Sequence, residues 1–252
     1  MTLSESVPVP SSRREFPDTR PPAGLKSIGR LTGALYLLLA IIGGAAYFLV
    51  SETLIVHGDA ATTMENIVSH EPLFRAGVAA WLVTALIDVV LAYLFYWIFA
   101  PATPKLALVS MVFRLAYVAV HAAALTRLFD IISLIDQGTA TANPDQILFL
   151  AEAHLNGFMV SLLFFGVHLI LLTAMIARTG YMPRLIAILP LLAGTAYVAD
   201  TVALALLPST SAMSGYIDLA VTVMASLGEI GFLLWLLFAG LKTATPNRRP
   251  ES

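Results

Sequence analysis

"LALVSMVFRLAYVAVHAAALTRL", residues 106–128, is apolar along almost its whole length and contains no proline or glycine. A helix rises about 1.5 Å per residue, so a run of roughly 20 apolar residues crosses about 30 Å of hydrocarbon, and this stretch is long enough to do so. It nevertheless carries Arg114 and His121, seven places apart and so on nearly the same helix face, with Tyr117 between them. An ionisable group at the bilayer centre costs at least ~2.5–3.5 kcal/mol on insertion scales, so such groups are expected to face inward and find partners. The segment therefore predicts a transmembrane helix in a bundle with a polar interior.

The composition agrees. Hydrophobic residues make up 58% of the 252-residue chain and charged residues 12%, and the mean hydropathy is +0.84. A soluble domain is nearer half apolar and a quarter charged. The apolar runs at 31–50, 74–100, 155–177, 185–207 and 216–241 each match the length of a span. The fold class read from this pattern is all-α, an integral membrane bundle of six transmembrane helices. Residues 28–241 form that bundle, between a Pro/Ser/Arg-rich tail at 1–27 and a short tail at 242–252, both expected to be disordered. The start of the chain lacks a short apolar core of its own, so the run at 31–50 is read as the first span, with a cleaved, late-starting signal as the lesser alternative. No cysteine is present, which removes disulfides, thiolate metal sites and iron–sulfur clusters.

Lys and Arg set the orientation. They gather in the N-terminal segment (Arg13, Arg14, Arg20, Lys26, Arg30), at Lys105, at Arg178 and Arg184, and at Lys242, Arg248 and Arg249. The opposite loops hold Glu52, Asp59, Glu65, Glu71, Asp136 and Asp145, with Arg75 as the nearby base. By the positive-inside rule both termini are cytoplasmic, in a cell membrane, and six spans satisfy that parity. In the loop 51–73, Asp59 is placed to cap a short helix whose Ala60, Met64, Ile67 and Val68 share one face. That helix either lies flat on the outer surface or packs on the bundle rim. Asn143, Pro144 and Gln146 predict an early start for the fourth spanning helix, with a capping box.

Several stretches resemble a known family: "RLTGALYLLLAIIGG", "IVHGDAATTMENI", "LFRAGVAAWLVTALIDVVLA", "FFGVHLILLTAMIARTGYMPRL" and "LLAGTAYVAD". Together they resemble the bacterial membrane-protein family catalogued as domain of unknown function 4386, over roughly residues 28–240. The most specific part is Arg178, Gly180, Tyr181, Pro183 and Arg184, followed by the segment from Gly194 to Asp200. Ala187 departs from the family, where a glycine is expected. The resemblance implies a multi-pass membrane fold and no catalytic residues, since the family carries no established activity.

Helix rise converts position into depth. Arg114, His168, Asp88 and Glu229 fall at about 13–18 Å from the cytoplasmic end, and His121 and Asp200 at about 24 Å. Two layers follow: Arg114 with Asp88, Glu229 and His168, and His121 with Asp200. The candidate cluster is Asp88, Arg114, Tyr117, His121, His168, Asp200 and Glu229. It serves either to bind or transport a small molecule or ion, or to fix helix packing in a structural or accessory protein, or to support intramembrane catalysis. No Walker, HExxH or GxSxG motif and no nucleic-acid signature is present. His154 and His168 lie fourteen apart, a two-haem spacing, but a second helix would need a matching pair and His154 is expected near the outer surface, so no cofactor is expected. His57 and His70 read as solvated loop residues and no metal is expected. Small residues recur at Gly29 with Gly33, Gly157 with Ser161 and Gly228 with Gly231, a pattern that suits helix packing or self-association equally. Asp88 and Asp200 open similar segments in spans two and five, a likeness too slight to establish an inverted repeat.

Overall fold

A computed structural model describes residues 24–206 and 212–242, with the backbone alone over 212–219. The tails are outside the described residues apart from 24–27 and Lys242, and so are the five basic residues Arg13, Arg14, Arg20, Arg248 and Arg249. The elements are helices α1 (Leu25–Ala46), α2 (Ala60–Ser69), α3 (Glu71–Phe99), α4 (Pro104–Asp136), α5 (Pro144–Thr179), α6 (Ile188–Leu206) and α7 (Ala212–Ala239). No strand occurs among the described residues.

Six helices are long and apolar enough to cross a membrane: Leu25–Glu52, Glu71–Phe99, Pro104–Asp136, Pro144–Thr179, Arg184–Leu206 and Ala220–Ala239. Burial runs opposite to that of a soluble protein. Leu86 and Leu227 are 69% and 65% exposed, whereas Arg114 is 0% exposed. Apolar side chains on the outside and charge on the inside is the pattern lipid imposes, and the chain is a multi-pass membrane protein.

Each spanning helix packs on its neighbour in sequence, and α1 closes the circle against α7. Glycines allow the closest approaches. A Cβ at Gly33 would fall 2.5 Å from the Leu237 backbone N, and one at Gly29 2.7 Å from Leu241 Cγ. Gly166 on α5 and Gly194 on α6 each face the other's carbonyl, with 2.7 Å for an added Cβ in both directions. Gly157 meets Ala124, and Gly228 and Gly231 meet α6 at Ala193 and Leu189. The small residues marked in the sequence therefore join helices within the chain.

Helix ends follow local chemistry. Pro72, Pro104 and Pro144 sit in first turns, where a missing N–H costs nothing. Gly180 ends α5 with φ 65°, a left-handed conformation that glycine adopts freely. The motif after it is structural: Tyr181 stacks on Phe99 at 5.9 Å, and its carbonyl accepts the Lys242 N–H at 2.8 Å. Two expectations are corrected. The first helix begins at Leu25, inside the stretch read as tail, because Leu25 is buried against the core. The fourth spanning helix does start at Pro144, but the Asn143 side chain donates to Thr139 O at 2.7 Å and caps nothing. Of the two readings of the helix at 60–69, packing on the bundle is the one found: Ile67 is 0% exposed, and Met64 and Val68 pack beside it.

Candidate functional site

The network begins on one face of α4, where Ser110, Arg114, Tyr117 and His121 are all buried. Their spacings of four, three and four residues keep them on one side of a helix with a 3.6-residue turn. Arg114 spends three of its nitrogens on two partners. Nε donates to Asp88 Oδ1 at 3.0 Å and Nη2 to the same oxygen at 2.5 Å. Nη1 donates to His168 Nε2 at 3.1 Å.

That last bond fixes the histidine. Arginine has no acceptor, so Nε2 of His168 carries no proton, and its Nδ1–H donates to the Ser110 carbonyl at 3.0 Å. His168 is thus neutral. Three rings surround the guanidinium, with Cζ at 5.3 Å from the Tyr36 centroid, 5.5 Å from Phe95 and 5.1 Å from Phe165. Weak hydration makes a guanidinium tolerable in such a place, where an ammonium would lose more.

Both of those Arg114 bonds to Asp88 go to one oxygen, which leaves Oδ2 buried without a hydrogen bond. The Tyr117 phenol is the hydroxyl beside that carboxylate. Asp88 is only 1% exposed, so this oxygen is a buried acceptor.

Glu229 on α7 has its own partners. Tyr36 donates to Oε2 at 2.7 Å, and Tyr197 donates to Oε1. The expectation that Glu229 pairs directly with Arg114 is therefore corrected: two phenols from α1 and α6 hold it. The lower layer is otherwise assembled as its depths predict, with Asp88, Arg114 and His168 in one network.

The upper layer is different. Both ring nitrogens of His121 lack hydrogen bonds, so no such bond joins it to Asp200. His121 instead packs among aromatic rings, 5.1 Å from Trp81, 5.0 Å from Phe158 and 6.3 Å from His154. His154 is itself 0% exposed, because α5 is flanked there by α2 and α4. Asp200 lies half-buried on α6 and takes part in other interactions. His57 and His70 are exposed, the first 3.5 Å from Glu152 and the second bonded to Asn66 O at 3.0 Å.

A cavity of about 370 Å³ lies between these groups. Every spanning helix contributes to its wall: Tyr36, Gly43, Gly44 and Tyr47 from the first, Trp81 and Asp88 from α3, Tyr117 from α4, Phe158 and Phe165 from α5, Tyr197 from α6 and Glu229 from α7. The first helix changes from α to π winding at Tyr47, on the cavity wall, a distortion common near functional positions. Sequence reasoning missed Ser110, Tyr36, Trp81 and Tyr197. The available signal was that a tyrosine inside a span must place its hydroxyl near a buried partner.

The sequence profile of one family matches residues 31–240, nearly all of the helical part. The chain belongs to the family described as domain of unknown function DUF4386. An uncharacterized protein of Archaeoglobus fulgidus is 26% identical over 160 residues, covering 62% of this chain and 79% of that protein. No solved structure matches. Asp88, Arg114, His168 and Glu229 all fall inside the segment of this DUF4386 chain that the profile matches.

Proposed function

We propose that this DUF4386 protein binds a small solute within the bundle, as a carrier or binding protein of the cell membrane. The observation that carries this reading is the cavity of about 370 Å³ bordered by all six spanning helices. Its volume falls in the range of small-molecule sites, about 300–1,000 Å³. Its wall combines aromatic surface with a few polar groups, the usual composition of a site that both attracts and orients a ligand. A packing role for the charges is favoured by one fact, the complete burial of the Arg114–Asp88 pair. Packing alone gives no account of space left beside two carboxylates.

The test uses Gly44. It lies on the cavity wall, its backbone is helical, and an added Cβ would meet nothing within 4 Å. Gly44→Leu should therefore fill the cavity without disturbing a helix contact, and removing a helical glycine is itself favourable by up to about 1 kcal/mol. The purified wild-type protein should show saturable binding of a small aromatic probe, 2-phenylethanol or 2-phenylethylamine, by titration calorimetry, and Gly44→Leu should not. Absence of saturable binding to wild type, or equal binding to a folded Gly44→Leu variant, would sink the cavity reading.

A further inference from the structure

We infer that the cavity takes a monovalent organic cation, a protonated amine on a compact apolar body. This deepens the cavity reading above and rests on it. The charges come first. Asp88 and Glu229 border the cavity, and the described residues lining it include no Lys, Arg or His. Arg114 sits behind the wall, joined to Asp88, and His168 is neutral because its Nε2 accepts from Arg114. Glu229 accepts a phenol hydrogen bond at each oxygen, and donors at both oxygens favour the charged carboxylate. One arginine against two carboxylates leaves the cluster one positive charge short. In a low-dielectric interior that deficit is costly, and a bound cation removes it.

Hydrogen bonding narrows the class. Asp88 is 1% exposed and borders the cavity; the Tyr117 phenol lies beside its carboxylate, but Oδ2 has no donor in hydrogen-bond geometry. An ammonium N–H supplies the donor that this oxygen lacks, whereas a quaternary ammonium does not. The rest of the wall suits the body of such a ligand. Tyr36, Tyr47, Trp81, Phe158, Phe165 and Tyr197 present ring surface, which attracts cations by its quadrupole and apolar groups by burial.

Other ligand classes fit less well. An anion would face two carboxylates with phenols as donors. A divalent metal ion needs about six oxygen or nitrogen ligands held close together. Among the described residues no group of three or more His, Cys, Asp or Glu is placed to hold one. A cavity of about 370 Å³ is also many times the share of a single water, about 30 Å³.

The experiment compares 2-phenylethylamine, protonated at neutral pH, with 2-phenylethanol, which has the same heavy-atom skeleton and no charge. Both are titrated into the full-length protein in lipid nanodiscs, with Gly44→Leu nanodiscs as the blank for partition into lipid. The amine should bind roughly tenfold or more tightly than the alcohol, the scale of a desolvated cation among aromatic rings and a carboxylate. Glu229→Gln keeps the shape and one acceptor for the two phenols while removing the charge, and it should weaken the amine by about tenfold and leave the alcohol unchanged. The two-probe comparison on wild type needs no variant of the acidic residues, so it stands even where Glu229→Gln fails to fold. Equal or tighter binding of the alcohol, or an amine affinity indifferent to Glu229→Gln, overturns the cation assignment and leaves the cavity reading in place. Failure of both probes to bind wild type removes both.

Discussion

Arg114 shows how a charge is kept inside an apolar bundle. It is accepted by Asp88 on α3 and His168 on α5, and three rings surround its guanidinium. Removing one member of a buried ion pair strands the other, at about 3–5 kcal/mol, while replacing both with apolar residues is often close to neutral. Arg114→Met should therefore lower the unfolding temperature far more than Arg114→Met combined with Asp88→Leu. Thermal unfolding of both single variants and the double variant measures the coupling, and additive losses would show that the two side chains do not stabilise one another. This pair was legible in the sequence because depth along a helix follows from residue count. Glu229 was assigned to Arg114 on the same ground, and that failed. Depth says nothing about the direction a side chain takes around the helix, and Tyr36 and Tyr197 reach Glu229 instead.

At the scale of elements, length and apolar content identify spans well and their ends less well. The fourth spanning helix runs from Pro144, eleven residues before the apolar run read at 155; the proline marks that start where apolar content does not, and His154, Ala151 and Ile147 along the extension are buried by protein. The π winding at 47–52 had no sequence signal, since it accompanies a tertiary contact: Val50 presses against Gly77, where any Cβ would collide with it. The cap of α2 was legible. Asp59 Oδ1 accepts the Thr62 N–H at 2.9 Å and Oδ2 accepts the Thr62 hydroxyl at 2.7 Å. These bonds favour the charged form and hold the Asp59 carboxyl below its ordinary value. A group lowered on folding stabilises fully above its unfolded value, about 3.9 for aspartate, and loses that contribution as pH falls through the lower folded value. Amide protection over residues 62–66, corrected for intrinsic exchange, should fall across that acid window in the wild type. In Asp59→Asn, which caps without titrating, the fall should be absent. An identical pH response in both proteins would mean that another group controls the helix.

For the whole molecule, the ring of helices brings the two ends of the bundle together. The start of α1 lies against the end of α7, where a Cβ at Gly240 would sit 2.9 Å from the Lys26 carbonyl. Six crossings then place Lys26, Arg30, Lys105, Arg178, Arg184 and Lys242 at one end of the bundle, and Glu52, Asp59, Glu65, Glu71, Asp136 and Asp145 at the other. At the acidic end, Arg75 is held by Glu71 at 2.6 Å and Asp136 at 2.5 Å, and Arg127 by Asp130 at 3.4 Å, which offsets the bases described there. Positive residues are retained on the cytoplasmic side during insertion, so the basic end should be cytoplasmic and α2 should lie outside. The chain has no cysteine, and introduced ones report without background. Ala61, Thr141 and Ala102 are exposed and uncharged, the first two at the acidic end and the third in the turn before α4. In intact cells an impermeant maleimide should label Ala61→Cys and Thr141→Cys, and should reach Ala102→Cys only after the membrane is permeabilised. Labelling of Ala102→Cys alone in intact cells would invert the orientation and place the carboxylate-rich loops in the cytoplasm.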